Sequence, residues 1–155
     1  MSSKFIVFEG GEGSGKSSHV QLTADFLNQR QISVATTHEP GGTAVGQVLR
    51  RLILEQTVAT RTELLLFLAD RAQHVAEFIK PTLDHGRSVI CDRFTGSTLA
   101  YQVGARHLQP EAMIQEMEQF ARAGMEPDLT IYLDVDPLLG VQRKRHQPGH
   151  DMNTF

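Results

Sequence analysis

The stretch Gly10-Gly11-Glu12-Gly13-Ser14-Gly15-Lys16-Ser17 follows the apolar run Phe5-Ile6-Val7-Phe8 and matches the pattern G-x-x-x-x-G-K-[ST]. Glycines allow the backbone to wrap closely around a phosphate and to point several N–H groups inward. The apolar run is typical of a buried strand, and residues 17–29 are typical of a helix, whose dipole adds positive charge at the loop. Lys16 supplies a mobile positive charge, and Ser17 supplies an oxygen for Mg²⁺. This stretch therefore predicts a site for the phosphates of a nucleoside triphosphate.

Apolar runs alternate with amphipathic stretches along the whole chain. The predicted strands are residues 5–8, 33–37, 88–92 and 129–133. The predicted helices are residues 17–29, 43–54, 60–79 (ending before Pro81), 110–123 and a last one from Pro137 toward Arg145. This alternation implies right-handed crossovers and a mostly parallel sheet with helices on both faces. We therefore predict an α/β, three-layer P-loop NTPase fold, with ligands beyond the carboxyl ends of the strands.

The composition limits the class of protein. The chain has 155 residues, 40% of them hydrophobic and 21% charged, which suits one globular domain with a real core. No apolar run approaches the roughly 20 residues that a membrane-spanning helix needs. A net charge of −3 argues against nucleic acid as the main partner. The single cysteine, Cys91, lies in an apolar run, so we expect a small buried hydrophobe and a reducing cytoplasmic location.

Five segments in a fixed order narrow the choice among P-loop proteins. They are Phe8-Glu9-Gly10 leading into the loop, His38-Glu39-Pro40-Gly41-Gly42-Thr43, Leu66-Phe67-Leu68-Ala69-Asp70-Arg71-Ala72-Gln73-His74, Asp92-Arg93-Phe94 with residues 97–102, and Pro127-Asp128-Leu129-Thr130-Ile131-Tyr132-Leu133-Asp134. Together these segments resemble bacterial thymidylate kinases, which transfer the γ-phosphoryl group of ATP to dTMP. The resemblance implies a Mg²⁺-dependent enzyme that acts on nucleotides and has no nucleic-acid or membrane partner. It also implies a homodimer built on helices such as residues 43–54 and 60–79.

Phe67 and Arg71 lie four residues apart on a predicted helix and therefore share one face. An aromatic ring can stack on a base while a guanidinium donates to a base carbonyl. By resemblance, Phe67 stacks on thymine and Arg71 bonds its O4 atom. The alternative is that Phe67 belongs to the core and that Arg71 forms a surface ion pair with Asp70 or Glu77.

Asp92 and Arg93 follow an apolar strand, which places them at the edge of the sheet beside the P-loop. Arg93 suits the acceptor phosphate and Asp92 suits Mg²⁺, bound through water. The alternative is a salt bridge at the end of a strand. By resemblance, base and sugar contacts come from four residues, with ordinary helix packing as the alternative: Ser97, Thr98, Tyr101 and Gln102. Among them, Thr98 or Gln102 would contact the thymine edge, and Tyr101 would exclude a ribose 2′-hydroxyl. Glu39 is expected near Mg²⁺ or dTMP.

An acidic side chain inside a P-loop would repel a triphosphate, so Glu12 is expected to project toward the acceptor, where the resemblance gives it the dTMP sugar. With Lys16 and Arg93 it completes the set of catalytic candidates. The expected ATP contacts are Gly10, Gly11, Glu12, Gly13, Ser14, Gly15, Lys16, Ser17, Ser18 and Arg143, and the resemblance implies that Arg143 packs against adenine. Because the loop contains no arginine, the resemblance implies a catalytic cation from a mobile lid.

That lid is expected to begin near residue 143 within a single domain of residues 1–155. Family members continue past a lid motif such as D-R-[FI]-E into another helix, a final strand and a terminal helix. Here residues 150–155 stand where the lid motif is expected, with Thr154 at the arginine position if Phe155 occupies the apolar one. Two interpretations follow: a fragment or truncated product of an active kinase, or a nucleotide-binding module without kinase activity.

Overall fold

Four parallel strands form the central sheet of the computed structural model, which describes residues 2–145. The strands are β1 (Phe5–Gly10), β2 (Val34–His38), β3 (Ser88–Asp92) and β4 (Leu129–Leu133). Their order in the sheet is β2-β3-β1-β4, so β1 and β3 are the inner strands. In the register, Val7 pairs with Cys91 on one side and with Thr130 on the other. The predicted α/β class and the four predicted strands are confirmed.

Helices connect the strands and cover both faces of the sheet. They are α1 (Lys16–Asn28), α2 (Ala44–Glu55), α3 (Thr60–His74), α4 (Lys80–Asp84), α5 (Thr95–Thr98), α6 (Glu111–Ala121) and α7 (Pro137–Arg145), with π-helical segments at Val75–Ile79 and Leu99–Ala105. Within residues 2–145, none of these helices combines the length and the apolar character that crossing a bilayer requires.

Two stretches differ from the helices that the sequence predicts. The helix from Thr60 was expected to end before Pro81, but it continues through a π-helical segment into α4, which carries Pro81 in its first turn. Residues 95–105, which are not among the predicted helices, are helical, as the packing alternative for Ser97 to Gln102 assumed. Gly96 and Gly104 lower the helix propensity of that stretch, so its helical form depends on tertiary contacts.

The core lies on both faces of the two inner strands. One cluster joins β1 and β3 to the helical stretch after α3 through Phe5, Val7, Val75, Ile79, Val89, Cys91 and Phe94. The other joins them to α1 and β2 through Phe8, Val20, Ala24, Val34 and Ile90. Cys91 is fully buried, which confirms its interpretation as a core residue, and burial raises the pKa of its thiol well above the ordinary value. This rigid centre holds the ends of β1, β2 and β3 at one edge.

Candidate active site

A cavity of about 870 Å³ opens at the carboxyl ends of β1, β2 and β3. Most of the predicted site residues line it: Glu12, Gly13, Gly15, Lys16, Ser17, Ser18, Glu39, Phe67, Arg71, Asp92, Arg93, Ser97, Thr98, Tyr101 and Gln102. Gly10, Gly11 and Ser14 belong to the same loop but do not line the cavity wall. The structure therefore brings together segments that are up to 90 residues apart in the sequence.

The phosphate-binding loop has the conformation that its glycines allow. Gly13 and Gly15 have φ angles of +67° and +91°, a region that L side chains rarely adopt. The Lys16 ammonium donates to the carbonyl oxygens of Gly10 and Gly11 at 2.9 and 2.8 Å. Burial, and then the Arg93 guanidinium, lower the pKa of Lys16. The loop thus holds a partly desolvated ammonium group at the start of α1.

Helix α7 packs directly on this loop through two glycines. A Cβ atom on Gly13 would lie 1.9 Å from the carbonyl oxygen of Gly140, and one on Gly140 would lie 2.2 Å from the carbonyl oxygen of Glu12. Side chains at either position are therefore excluded while the two backbones remain in contact. From the same helix, the Lys144 ammonium forms an ion pair with the Glu12 carboxylate and also lines the cavity.

The Glu12 carboxylate lies against Arg93, and its predicted contact with the sugar of dTMP stays a prediction. Its carboxylate accepts a hydrogen bond from Arg93 at 2.8 Å. Burial alone would raise the pKa of Glu12, but the hydrogen bond from Lys144 and the charge of Arg93 outweigh it and hold that pKa below its ordinary value. The Glu12 carboxylate is therefore charged at neutral pH and lies between two cations.

Arg93 is held in an uncommon backbone conformation at the end of β3. Its φ angle is +74°, and its N–H donates to the carbonyl oxygen of Phe8 at 2.9 Å. Its guanidinium also donates to the Gly10 carbonyl at 3.3 Å and to the Ser97 hydroxyl at 3.0 Å, and it lies 5.5 Å from the centre of the Tyr101 ring. Uncommon backbone conformations persist where the surroundings hold them, and they cluster at functional sites.

Glu9 provides that support, and it is a functional residue that the sequence analysis missed. It is buried at the end of β1, where Oε1 accepts from the N–H groups of Phe94 and Ser97 at 2.9 and 3.1 Å. Oε2 accepts from the Ser97 hydroxyl at 2.6 Å, so Ser97 connects Glu9 to Arg93. The sequence signal for this role was a charged residue directly after the apolar run of β1.

Ser17 and Asp92 lie together beside the phosphate-binding loop. The Ser17 hydroxyl donates to the Asp92 carboxylate at 2.7 Å. Hard oxygen donors of this kind suit Mg²⁺, which usually keeps several waters and phosphate oxygens as its other ligands. In the part of the chain that the structure describes, no group of three or more His, Cys, Asp or Glu side chains forms a metal cage. The donor set therefore fits a metal ion that a nucleotide brings with it.

Arg71 lines the same cavity and is 2% exposed. It donates to Glu39 at 2.7–2.9 Å, to Glu118 at 2.5 Å and to the Thr98 hydroxyl at 3.0 Å. The alternative of a surface ion pair with Asp70 or Glu77 is wrong, because Arg71 is buried against Glu39, which follows β2, and Glu118 of α6. Burial alone would lower the pKa of Arg71, but the Glu39 and Glu118 carboxylates raise it above its ordinary value.

Two further predicted base contacts, Phe67 and Gln102, line the same cavity as Arg71. Phe67 is half-buried in the cavity wall, one helical turn before Arg71, which favours a ligand contact over the core alternative. Gln102 is 1% exposed, and its Oε1 atom has no hydrogen-bond partner among residues 2–145. A buried carbonyl oxygen without a partner is costly and points to a donor that a ligand supplies.

Glu39 forms hydrogen bonds with two buried side chains that the sequence did not predict as its partners. Its carboxylate binds Arg71 through one oxygen and His74 Nδ1 through the other, at 2.8 Å. Burial alone would raise the pKa of Glu39, but Arg71 and then His74 outweigh it and lower that pKa. His74, which is fully buried, also bonds the Thr37 hydroxyl at 2.6 Å. Glu39 therefore supports Arg71 in addition to lining the cavity.

Asp70 is a further buried acid beneath the loop after β2. Its Oδ1 atom accepts from the N–H of Gly41 at 3.0 Å. Burial, and then the nearby Glu39 carboxylate, raise the pKa of Asp70 to about 6. On the other side of the same loop, Arg50 donates to the Pro40 carbonyl at 2.9 Å and lines the cavity. From the sequence, Arg50 was predicted only to lie in a helix, without a role at the site.

The predicted lid lies largely beyond the described part of the chain. Arg143 is exposed on α7 and does not line the cavity, so its contact with adenine stays a prediction. Residues 146–155, including Thr154, lie outside the described residues. The neighbouring Lys144 is the α7 cation that reaches the cavity.

Comparison with known proteins agrees with this geometry. A family model described as thymidylate kinase matches residues 8–154. A thymidylate kinase of Nostoc punctiforme is 50% identical over 149 residues, which cover 94% of this chain and 70% of that protein. A thymidylate kinase of Legionella pneumophila is 44% identical over 155 residues, which cover 97% of this chain and 73% of that protein. The crystal structure of a thymidylate kinase from Ehrlichia chaffeensis has a TM-score of 0.81 at 37% identity, covering 92% of this chain and 82% of that one. This chain belongs to the thymidylate kinase family.

Proposed function

We propose that the protein transfers the γ-phosphoryl group of ATP to dTMP, giving dTDP and ADP. One observation carries this proposal: a single cavity joins the phosphate-binding loop to a buried pair, Arg71 and Gln102, that matches a thymine edge. Arg93 contacts both the loop and the segment that bears Gln102, so it lies where an acceptor phosphate is needed.

The hydrogen-bonding pattern favours thymine over cytosine. A guanidinium can only donate, whereas the unpartnered Oε1 of Gln102 can only accept. Thymine presents an acceptor at O4 and a donor at N3, but cytosine presents an amino group at C4. Cytosine would therefore place donors against the donors of Arg71, while the ring of Phe67 supplies a stacking surface that all bases can use.

The residues at the loop explain how the transfer proceeds. The acceptor is a phosphate oxygen that is already ionised, so no strong general base is needed. It attacks the γ-phosphorus in line, and the bond from that phosphorus to the β–γ bridging oxygen breaks. Lys16 and Arg93 hold donor and acceptor phosphates together and offset their charges. Mg²⁺, held by Ser17 and through water by Asp92, would neutralise further charge on the phosphates.

The remaining roles complete the proposal. We place Glu12 at the sugar of dTMP. The side chains around the sugar and base are Ser97, Thr98 and Tyr101. A lid cation from residues 143–155 is placed at the transferred phosphate. A lid arginine in such a reaction is worth ~10³–10⁵ in rate, so kcat depends strongly on that segment. Residues 1–155 act as one kinase domain, and the cytoplasm, which supplies ATP, is the proposed location.

A homodimer is part of the same proposal. Helices α2 and α3 pack on each other and expose apolar side chains at Val45, Val48, Leu52 and Leu65. Exposed apolar side chains on neighbouring helices are typical of association surfaces. Analytical ultracentrifugation should give twice the chain mass, and Leu52→Glu with Leu65→Glu should give the single mass. A monomer at all concentrations would contradict the dimer.

The activity is tested by ADP release with dTMP, dUMP, dCMP and dGMP as acceptors. We expect dTMP to give the highest kcat/KM, and Lys16→Met to lower kcat by ~10²–10³ without unfolding the protein. Lys80→Met, which changes an exposed lysine far from the cavity, is the control and should keep the native rate. Faster turnover of dCMP or dGMP would refute the thymidylate assignment. Binding of dTMP without ADP release would instead support a nucleotide-binding module.

A further inference from the structure

Arg71 lies between two carboxylates that come from distant parts of the chain. Glu39 follows β2, and Glu118 lies on α6, which packs against α3. The side chains of Arg71, Glu39 and Glu118 are only 3–4% exposed. The Arg71–Glu39 and Arg71–Glu118 contacts measure 2.7 and 2.5 Å. Arg71 and Glu39 line the cavity, and Glu118 pairs with Arg71 from outside its wall.

The hydrogen bonds of Arg71 leave little of its donor capacity unused. A guanidinium carries five N–H groups. Nε and one N–H of Nη2 donate to Glu39, while the two N–H groups of Nη1 donate to Glu118 and Thr98. Among the bonds that residues 2–145 provide, one N–H of Nη2 is left for a ligand. The Phe94 ring, 4.8 Å from Cζ, covers one face of the group.

The charges on these three residues suit a neutral ligand. Counted on these three side chains alone, two carboxylates and one guanidinium sum to −1, so Arg71 offers an anion no net positive charge from this group. An arginine without such partners would attract phosphate, including the phosphate of dTMP bound in a reversed orientation. The one remaining N–H of Arg71, which lies beside two carboxylates, suits one carbonyl oxygen of an uncharged base instead.

The burial of a second carboxylate, that of Glu118, beside Arg71 is not explained by stability. Glu39 already gives Arg71 one carboxylate partner, and a second buried carboxylate adds a desolvation cost that ion pairing commonly fails to offset. Arg71 is the ion-pair partner that the described residues give to Glu118. Its carboxylate lies behind Arg71 and outside the cavity wall, so it does not contact a ligand directly.

We propose that Glu118 is a positioning residue for base selection: it holds Nη1 of Arg71 from behind, so that one N–H of Nη2 meets the 4-oxygen of thymine. This inference rests on the proposed function, because it takes Arg71 as the donor to that oxygen. Glu118 thereby acts on the base through Arg71 and has no part in the transfer of the phosphoryl group.

The test measures dissociation constants for dTMP and for 4-thio-dTMP, in which a weakly accepting sulfur replaces the 4-oxygen and N3–H is kept. Native protein should prefer dTMP by about tenfold or more, the worth of one charge-assisted hydrogen bond. Glu118→Gln keeps the shape and one acceptor but removes the charge. We expect it to reduce that preference at least about threefold. The KM for ATP should stay within about twofold, because the loop is untouched.

Two further variants make the result specific. Glu118→Asp keeps the charge but shortens the reach, so it should show an intermediate preference and remains informative if Glu118→Gln does not fold. Glu116→Gln lies on the exposed side of the same helix and should behave like the native protein. Thermal unfolding of each variant shows whether it is folded at the assay temperature.

The outcomes distinguish the role of Glu118 from base recognition by Arg71. An unchanged preference for dTMP in both Glu118 variants would overturn the role of Glu118. Equal weakening of dTMP and 4-thio-dTMP would also overturn it, because a merely structural role predicts that result. If the native protein does not distinguish the two nucleotides, base recognition by Arg71 is refuted, and the role of Glu118 is refuted with it.

Discussion

The buried carboxyl group of Asp70 predicts an unusual pH dependence of stability. Its pKa is raised from the ordinary value of 3.8 to about 6. Below pH 3.8 the group is protonated in both the folded and the unfolded chain. Between these two values the folded chain holds a proton that the unfolded chain releases, so the free energy of unfolding falls as the pH rises. Above about pH 6 the full cost of the buried charge is present.

The substitution Asp70→Asn removes this cost and keeps the acceptor for the Gly41 N–H. At pH 5, one unit below the folded pKa of about 6, the native group still gains about 1.4 kcal/mol relative to pH 7.5. The variant has no such gain. Its free energy of unfolding, measured relative to the native protein, should therefore rise by about 1.4 kcal/mol between pH 5 and pH 7.5. In a domain of this size that corresponds to about 3–6 °C in Tm.

Urea unfolding of both proteins at pH 5 and pH 7.5 measures this difference. Asp84→Asn is the matched control, because it removes an exposed carboxylate and should change the free energy of unfolding by less than about 0.5 kcal/mol at either pH. A difference between Asp70→Asn and the native protein that is equal at the two pH values, or smaller at pH 7.5, would refute the reasoning.

Three further substitutions test the cavity. Ser97→Ala removes the hydroxyl between the strand end and Arg93, so kcat/KM for dTMP should fall about tenfold or more, with KM for ATP within about twofold, in steady-state assays. Gly140→Ala places a Cβ atom 2.2 Å from the Glu12 carbonyl and should weaken ATP binding at least about tenfold by calorimetry, because α7 must move off the loop. Phe67→Ala removes a stacking surface worth about 1–3 kcal/mol and should raise the dissociation constant of dTMP by roughly 5- to 150-fold.

Neighbouring residues serve as controls for these three. Thr95→Ala, in the same segment as Ser97 but outside the cavity wall, should keep the native kcat/KM. Leu139→Ala removes a side chain that is 42% exposed beside Gly140 and should keep ATP binding. For Phe67→Ala, ATP binding is the internal control, and a parallel loss of ATP binding would point to misfolding rather than lost stacking.

The strands, the loop and their common edge were predictable because each leaves a local pattern. A glycine-rich stretch between an apolar run and a helix needs no distant residue to be identified. The same holds for Phe67 and Arg71, whose spacing of four places them on one helix face. Local patterns were also enough to place Asp92 at the end of its strand.

The ion pairs of the site could not be predicted in this way. Spacing on one helix suggested Asp70 or Glu77 as partners of Arg71, but Arg71 is buried and pairs with carboxylates that are 32 and 47 residues away. Which carboxylate meets a buried arginine depends on how helices pack, and a single sequence does not show this. The buried role of Glu9 was hidden for the same reason, since its partners follow a different strand.

The single thiol in the middle of the sheet has a practical consequence. Cys91 is fully shielded, and the raised pKa of its thiol keeps it protonated, so an alkylating reagent can react only after the inner strands open. With one cysteine in the chain, the alkylated fraction, read as a mass increase, counts molecules whose sheet has opened. The native protein therefore carries its own unlabelled probe of global opening, and ligands that slow alkylation can be ranked without an activity assay.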